Sequence, residues 1–197
     1  MQRDDAFSYV CNACNRCCRG KIIQINPYEL ARLARRLGVS ASKFVERYTD
    51  DGVRLKRDET GTCVFLGEAG CTVHPDRPLV CRLYPLGRIV GSQGERFEHM
   101  TPHPETEGVY GADGRIADYL EQQGAEPYMA AADAYYALYR DLSIGEGEGA
   151  EAEPEDFLDL EGFVARECER RGEPVPETLE ERAELHARWL AERFTGS

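Results

Sequence analysis

The sequence has no run of about 18 apolar residues, so nothing in it reads as a membrane-spanning helix. The opening residues, Met1-Gln2-Arg3-Asp4-Asp5-Ala6-Phe7, lack a basic segment followed by an apolar one. No secretory signal is read there, and the expected compartment is the cytoplasm. Internal repeats are absent. Positive charge is scarce in the second half: residues 91–197 hold 9 Lys and Arg against 26 Asp and Glu, a net −17. That balance excludes a broad nucleic-acid surface. Residues 1–90 hold 15 against 10, a net +5, so the total of −12 conceals a polarised chain. The acidic stretch Gly145-Glu146-Gly147-Glu148-Gly149 has no lysine, and its carboxylates would repel a phosphate, so it is a linker and not a phosphate loop.

Cysteine is what the chain does have. Cys11, Cys14, Cys17 and Cys18 fall within eight residues, Cys63, Cys71 and Cys81 follow, and only Cys168 lies elsewhere. In a reducing compartment such clustering points to metal ligands before disulfides. Thiolates favour zinc and iron–sulfur clusters. A C-x2-C step lets two sulfurs meet one metal around a tight turn, and Cys11-x2-Cys14-x2-Cys17 extends it to three. The same opening spacing serves [4Fe–4S] clusters of bacterial ferredoxins, completed there by a remote cysteine before a proline. Cys81 ahead of Pro85, Cys63 or Cys71 is the candidate for that role here. Adjacent Cys17 and Cys18 diverge, which suggests a second metal or a polynuclear centre. Cys71-x2-His74 has zinc-finger-like spacing and keeps zinc in competition. The expected ligand set is Cys11, Cys14, Cys17, Cys18, Cys63, Cys71 and Cys81, with iron–sulfur favoured over zinc. Cys168 is a bystander on a helix. Arg77 and Arg82 bracket Cys81, either bonding to cluster sulfur or capping the turns of a proline-rich loop.

The rest of the chain reads as α+β and mostly α: a small metal-centred, cysteine-rich core with short strands or hairpins, followed by C-terminal helices. Residues 1–10 read as a polar lead-in and Lys21–Ile25 as a strand. Asn26, Pro27 and Glu29 form a helix start with a capping box, and Gly38 ends that helix. Ser40 or Ser42 caps a second helix, and this helical pair is expected to pack over the metal site. Hairpins are expected across Gly67–Gly70 and across Gly91 and Gly94. Residues 101–114 read as loop. Helices follow from Ile116, from Pro127 to Leu142, over 154–171 and over 176–194. The expected division is a cysteine-cluster domain at 1–110 and a helical extension at 111–197, with the acidic linker near 145–153.

Cys11-x2-Cys14-x2-Cys17-Cys18, Cys63-Val64-Phe65-Leu66, Cys71 and Arg77-Pro78-x2-Cys81-Arg82-x-Tyr84-Pro85 together resemble the YkgJ-type cysteine-cluster family, also called the CxxCxxCC or zinc- or iron-chelating domain. The resemblance covers about residues 8 to 110 and implies a compact metal-binding domain with cysteine ligands. A distant relative, flagellin lysine N-methylase, implies a cluster-containing protein-lysine methyltransferase as one alternative. No G-x-G-x-x-G after a strand and no C-x3-C-x2-C is present, so no motif supports S-adenosylmethionine as a cofactor. Relatives carry a further cysteine in a segment that corresponds here to Pro104–Gly108, with Thr106 in the place of the thiol. His74, His99 or His103 would then complete the site, or a position stays open to water or substrate. The functional expectation is an iron–sulfur protein with a redox or cluster-dependent role. A zinc-binding structural module presenting its acidic helices to a protein partner is the alternative, and whether the chain is an enzyme stays open.

Overall fold

The computed structural model describes residues 1–12, 14–144 and 153–195. In chain order it contains β1 (Ala6–Val10), α1 (Pro27–Leu37), α2 (Ala41–Tyr48), β2 (Leu66–Gly67), β3 (Gly70–Cys71), α3 (Leu79–Leu83), β4 (Leu86–Gly91), β5 (Gly94–His99), β6 (Val109–Arg115), α4 (Ile116–Gln122), α5 (Glu126–Ile144), α6 (Pro154–Leu158), α7 (Leu160–Arg171) and α8 (Leu179–Thr195), with 3-10 turns at Arg16–Cys18 and His74–Asp76. The architecture is α+β and mostly α, as expected. The acidic linker falls almost wholly outside the described residues. The chain forms two compact units, one from residues 1–23 and 55–126, the other from residues 24–54 and 127–197.

The first unit holds three two-stranded antiparallel sheets, β1–β6, β2–β3 and β4–β5. Both expected hairpins are present. Leu66 pairs with Cys71 and Gly67 with Gly70, so Glu68-Ala69 is the turn. The second hairpin pairs Leu86 with His99 through to Gly91 with Gly94, longer than expected, with Ser92-Gln93 at its tip. The β1–β6 pair corrects two expectations, the polar lead-in and the 101–114 loop. Its signal was the alternation in Ala6-Phe7-Ser8-Tyr9-Val10, where Phe7 and Tyr9 are buried and their neighbours are not. The partner β6, Val-Tyr-Gly-Ala-Asp-Gly-Arg, has weak strand propensity and exists because β1 supplies the ladder. Gly108, just ahead of it, is where the Tyr9 ring passes, and a Cβ there would collide with the Tyr9 hydroxyl. Phe7 meets Tyr119 of α4 edge-on at 5.1 Å, joining sheet to helix in a core with Leu86, Phe97, Ile116 and Leu120.

The second unit is helical. The α1 start follows its sequence: Asn26 accepts from the Glu29 amide, Glu29 returns the bond to the Asn26 amide, and Gly38 closes the helix at φ 64°. Ser40 caps α2 through the Lys43 amide. The pair belongs with the C-terminal helices. Tyr28 donates to Glu180 at 2.6 Å, and Arg35 pairs with Glu161. Instead of the expected strand at 21–25 there is a single bridge, Gln24 to Arg54. The expected helix over 154–171 breaks at Asp159, whose carboxylate caps α7 through the Gly162 amide. Helix α8 begins at Leu179, where Thr178 and Glu181 exchange backbone and side-chain bonds as a capping box. Its buried His186 bonds Tyr135 on one side and the Asp156 carbonyl on the other, both at 2.8 Å. Among the described residues, no helix is long and apolar enough to cross a membrane.

Candidate metal centre

The cysteine cluster sits on a tight local structure. Asn15 takes the left-handed conformation at φ 61°, which asparagine tolerates better than most residues, and turns the chain into the 3-10 helix Arg16–Cys18. Cys17 and Cys18 therefore share one turn. The following residues are stitched to a distant segment: the Cys63 amide donates to the Cys18 carbonyl at 3.1 Å, and the Gly20 amide to the Gly61 carbonyl at 3.0 Å. From Cys63 the chain enters the β2–β3 hairpin, which carries Cys71 in its second arm. Gly70, at φ 110°, faces the Asn15 side chain, so the hairpin tip lies beside the first cysteine turn.

Cys81 lies on α3, behind a loop held by Arg82. The buried Arg82 guanidinium donates to three carbonyls, those of Pro75, Arg77 at 3.0 Å and Gln123 at 2.7 Å. Tyr119 adds a bond to the Tyr84 carbonyl at 2.6 Å. Arg82 thus acts as the clamp on the loop. Arg77 donates to the His74 carbonyl, to His74 Nδ1 and to Gln123 Oε1. In Arg77-Pro78-x2-Cys81-Arg82-x-Tyr84-Pro85 the arginines and Tyr84 build the loop that carries Cys81.

These elements enclose a cavity of about 330 Å³ lined by Cys11, Cys17, Cys18, Cys63, Cys71 and Cys81. Six of the seven expected ligands are thus brought to one place; Cys14 does not line it. An apolar wall of Ile23, Leu55, Phe65, Val73 and Tyr84 faces them. The cations of the lining are Lys21 and Arg77, with His74 beside them, and it contains no carboxylate. Among the described residues, no group of three or more His, Cys, Asp or Glu side chains is arranged to hold a single metal ion. The chemistry of the donor set nonetheless fits a thiophilic metal: many sulfurs, no competing carboxylate oxygen, and positive charge where thiolates would be.

Electrostatics tie the thiols together. The Cys18 thiol donates to Cys17 and holds the Cys17 pKa down to about 6, while Cys18, which keeps the shared proton, is pushed up. Burial raises Cys63 and Cys71. Cys14 is lowered, chiefly by a backbone bond from Glu107 and further by the Thr106 hydroxyl. Thr106, the residue expected in the place of a further thiol, therefore lies beside Cys14, and like Cys14 it does not line the cavity. Of the three histidines, His74 lines the cavity, but its Nδ1 accepts from Arg77, and burial lowers its pKa. His99 packs against Phe7 and Tyr110, and His103 Nδ1 accepts from the Glu105 amide; neither lines the cavity. Cys168 is buried in α7 against the Pro174 carbonyl, away from the cluster in sequence and in unit. Lys21 is the residue that sequence reasoning missed. Placed in a strand, it instead enters the cavity with its ammonium over the Tyr84 ring, 3.6 Å from the centroid. The available signal was its position three residues after Cys18.

No curated protein and no solved structure matches the chain. One family model does, CxxCxxCC, described as "Putative zinc- or iron-chelating domain", over residues 10–103, just under half of the chain. The match opens at the first cysteine turn, takes in all seven clustered cysteines and ends ahead of Thr106. Over that span the chain is similar to the CxxCxxCC family of zinc- or iron-chelating domains, the family its cysteine spacing resembles.

Proposed function

We propose that the chain holds an iron–sulfur cluster and serves a redox or cluster-dependent role in the cytoplasm, with Cys11, Cys14, Cys17, Cys18, Cys63, Cys71 and Cys81 as its ligands. The supporting observation is that six of these cysteines line a single cavity of about 330 Å³. One mononuclear zinc needs four donors and leaves little void among them. Six cysteines around an open volume suit a polynuclear centre, and the absence of carboxylate in the lining suits sulfur ligation throughout. A cluster bound there would supply one-electron transfer. The protein's own contribution is to hold the thiols on four short segments, to set the apolar Phe65, Val73 and Tyr84 wall beside them, and to place cations near them.

The experiment is metal and acid-labile sulfide analysis of anaerobically purified protein, with its visible spectrum. Iron and sulfide in near-equal amounts, with broad violet-to-visible absorption, is the expected result. Zinc without sulfide in a colourless protein would sink the cluster reading. A zinc centre is the second reading, favoured by Cys71 and His74, which share the cavity at finger-like spacing. On that reading the domain is structural, and a chelator should unfold it.

A further inference from the structure

A cation inside a cavity is costly unless an anion offsets it. Lys21 meets that condition with no anion of its own. It is half-buried and lines the cysteine cavity. Among the described residues its ammonium has no hydrogen-bond acceptor and no carboxylate partner; its recorded contact is the Tyr84 ring face. That ring contact recovers part of the lost hydration, and it fixes the position of the charge. Arg77, the other cation of the lining, gives its hydrogen bonds to neutral acceptors of the loop, the His74 carbonyl, His74 Nδ1 and Gln123, while its charge also acts on Cys17 and Cys81, so among the described residues Lys21 is the cation there that has no hydrogen-bond acceptor. With no aspartate or glutamate among the described residues of the lining, the cysteines are the groups there that supply compensating negative charge as thiolates. The field of the site agrees: burial lowers the Lys21 pKa, while Cys17, Cys81 and Cys18 act to raise it.

We propose that Lys21 is the fixed counter-charge of this centre: held against Tyr84, its ammonium offsets the negative charge that Cys17, Cys18 and Cys81 bear as thiolates on a bound metal, and so sets how tightly the centre holds metal. The proposal rests on the metal-centre reading above but not on which metal is bound. It assigns Lys21 a positioning role, since the residue acts through the thiolates and has no lone pair to give while protonated. A centre of four or more thiolates around a divalent or mixed-valence iron core is a net anion, and one nearby cation is the cheapest means of keeping it in a half-apolar cavity.

The test uses the full chain stripped of metal and titrated with Zn²⁺ against a chromophoric chelator, comparing wild type, Lys21→Met, Lys21→Arg and Lys21→Gln. Methionine keeps the apolar stem against Tyr84 and removes the charge. Removing a supporting group around a metal typically weakens binding about ten- to a hundredfold. That loss is expected for Lys21→Met and Lys21→Gln, with Lys21→Arg staying close to wild type. Thermal unfolding of the metal-free proteins should not be lowered in any variant, since the uncompensated charge is itself costly there, which separates loss of metal affinity from loss of folding; Lys21→Gln serves if the methionine variant does not fold. Zinc affinity in Lys21→Met equal to wild type overturns the proposal. So does Lys21→Arg as weak as Lys21→Met, because the role would then be packing. A wild type whose zinc affinity does not fall when Cys17 and Cys81 are changed to serine fails differently, since it removes the metal centre itself. In iron- and sulfide-reconstituted protein, a second readout is the midpoint potential, which should fall when the charge is removed.

Discussion

Arg82 is a residue whose meaning changes between sequence and structure. Beside Cys81 it reads equally as a cluster partner or as a loop clamp, because a guanidinium can do either. Its burial and three carbonyl acceptors make it the clamp. Arg82→Met should leave those carbonyls unpaired and cost about 2–4 kcal/mol, measured by urea unfolding, with lowered metal content as a secondary effect. The cysteines separate in the same way. Cys18→Ser should cut bound metal sharply, whereas Cys168→Ser should leave the metal-to-protein ratio unchanged, as measured by elemental analysis; equal losses would contradict the assignment. His186 has a pH signature. The Asp156 carbonyl can only accept, so Nε2 carries the proton, and Nδ1 accepts from the Tyr135 hydroxyl. Burial, the largest cause, lowers its pKa to about 4, against 6.5 ordinarily. A depressed histidine stabilises the fold at pH values above its unfolded pKa, and that contribution is lost as pH falls from about 6.5 toward 4. The loss should approach about 3 kcal/mol, read as a falling unfolding midpoint between pH 7 and pH 4 that flattens in His186→Gln.

At the level of elements, those carried by local signals were legible. The Asn26–Glu29 box, Gly38 and Ser40 need only their own neighbours, and α1 and α2 begin and end where those residues put them. Both hairpins follow from glycine-flanked turns. The β1–β6 pair is not legible in the sequence, because its partners lie about a hundred residues apart and β6 carries two glycines. The break at Asp159 was missed for another reason: periodicity runs through it, and only the capping bond to Gly162 shows that two helices meet there. The β2–β3 hairpin offers a controlled test of how an element positions a ligand. Gly70 has φ 110°, where a side chain is strained, while Gly91 has open space and an ordinary φ. Gly70→Ala should cost about 1–3 kcal/mol and weaken metal binding through Cys71. Gly91→Ala should stay within about 0.5 kcal/mol of wild type, both by chemical unfolding.

At the scale of the whole molecule, the chain weaves between two units, leaving the first after residue 23, returning at residue 55 and leaving again after residue 126. Sequence reading follows the chain and tends to keep neighbours together. The α1–α2 pair is expected over the cysteines on that reading; what the structure shows is that α1 finds ion pairs within its own unit, with Glu161 and Glu180. If metal organises the first unit, chelation should act there. Hydrogen exchange on chelated protein should accelerate across 14–20 and 61–83 while α7 and α8 keep their protection. Uniform acceleration throughout would show that the two units unfold as one.

The sequence by itself determined that seven clustered cysteines at zinc- or iron-chelating spacing lie in the first half, and where most helices and both hairpins fall. Spacing, caps and turns are local properties, and they survive without knowledge of the fold. Only the tertiary structure decided that six cysteines share one cavity, that Arg82 serves the loop, and that Lys21 stands among the thiols with no carboxylate partner among the described residues. Those facts depend on which distant segments meet, such as residues 18–20 with 61–63. Such a meeting is set by the summed burial and hydrogen bonding of both segments, which no single stretch of chain displays.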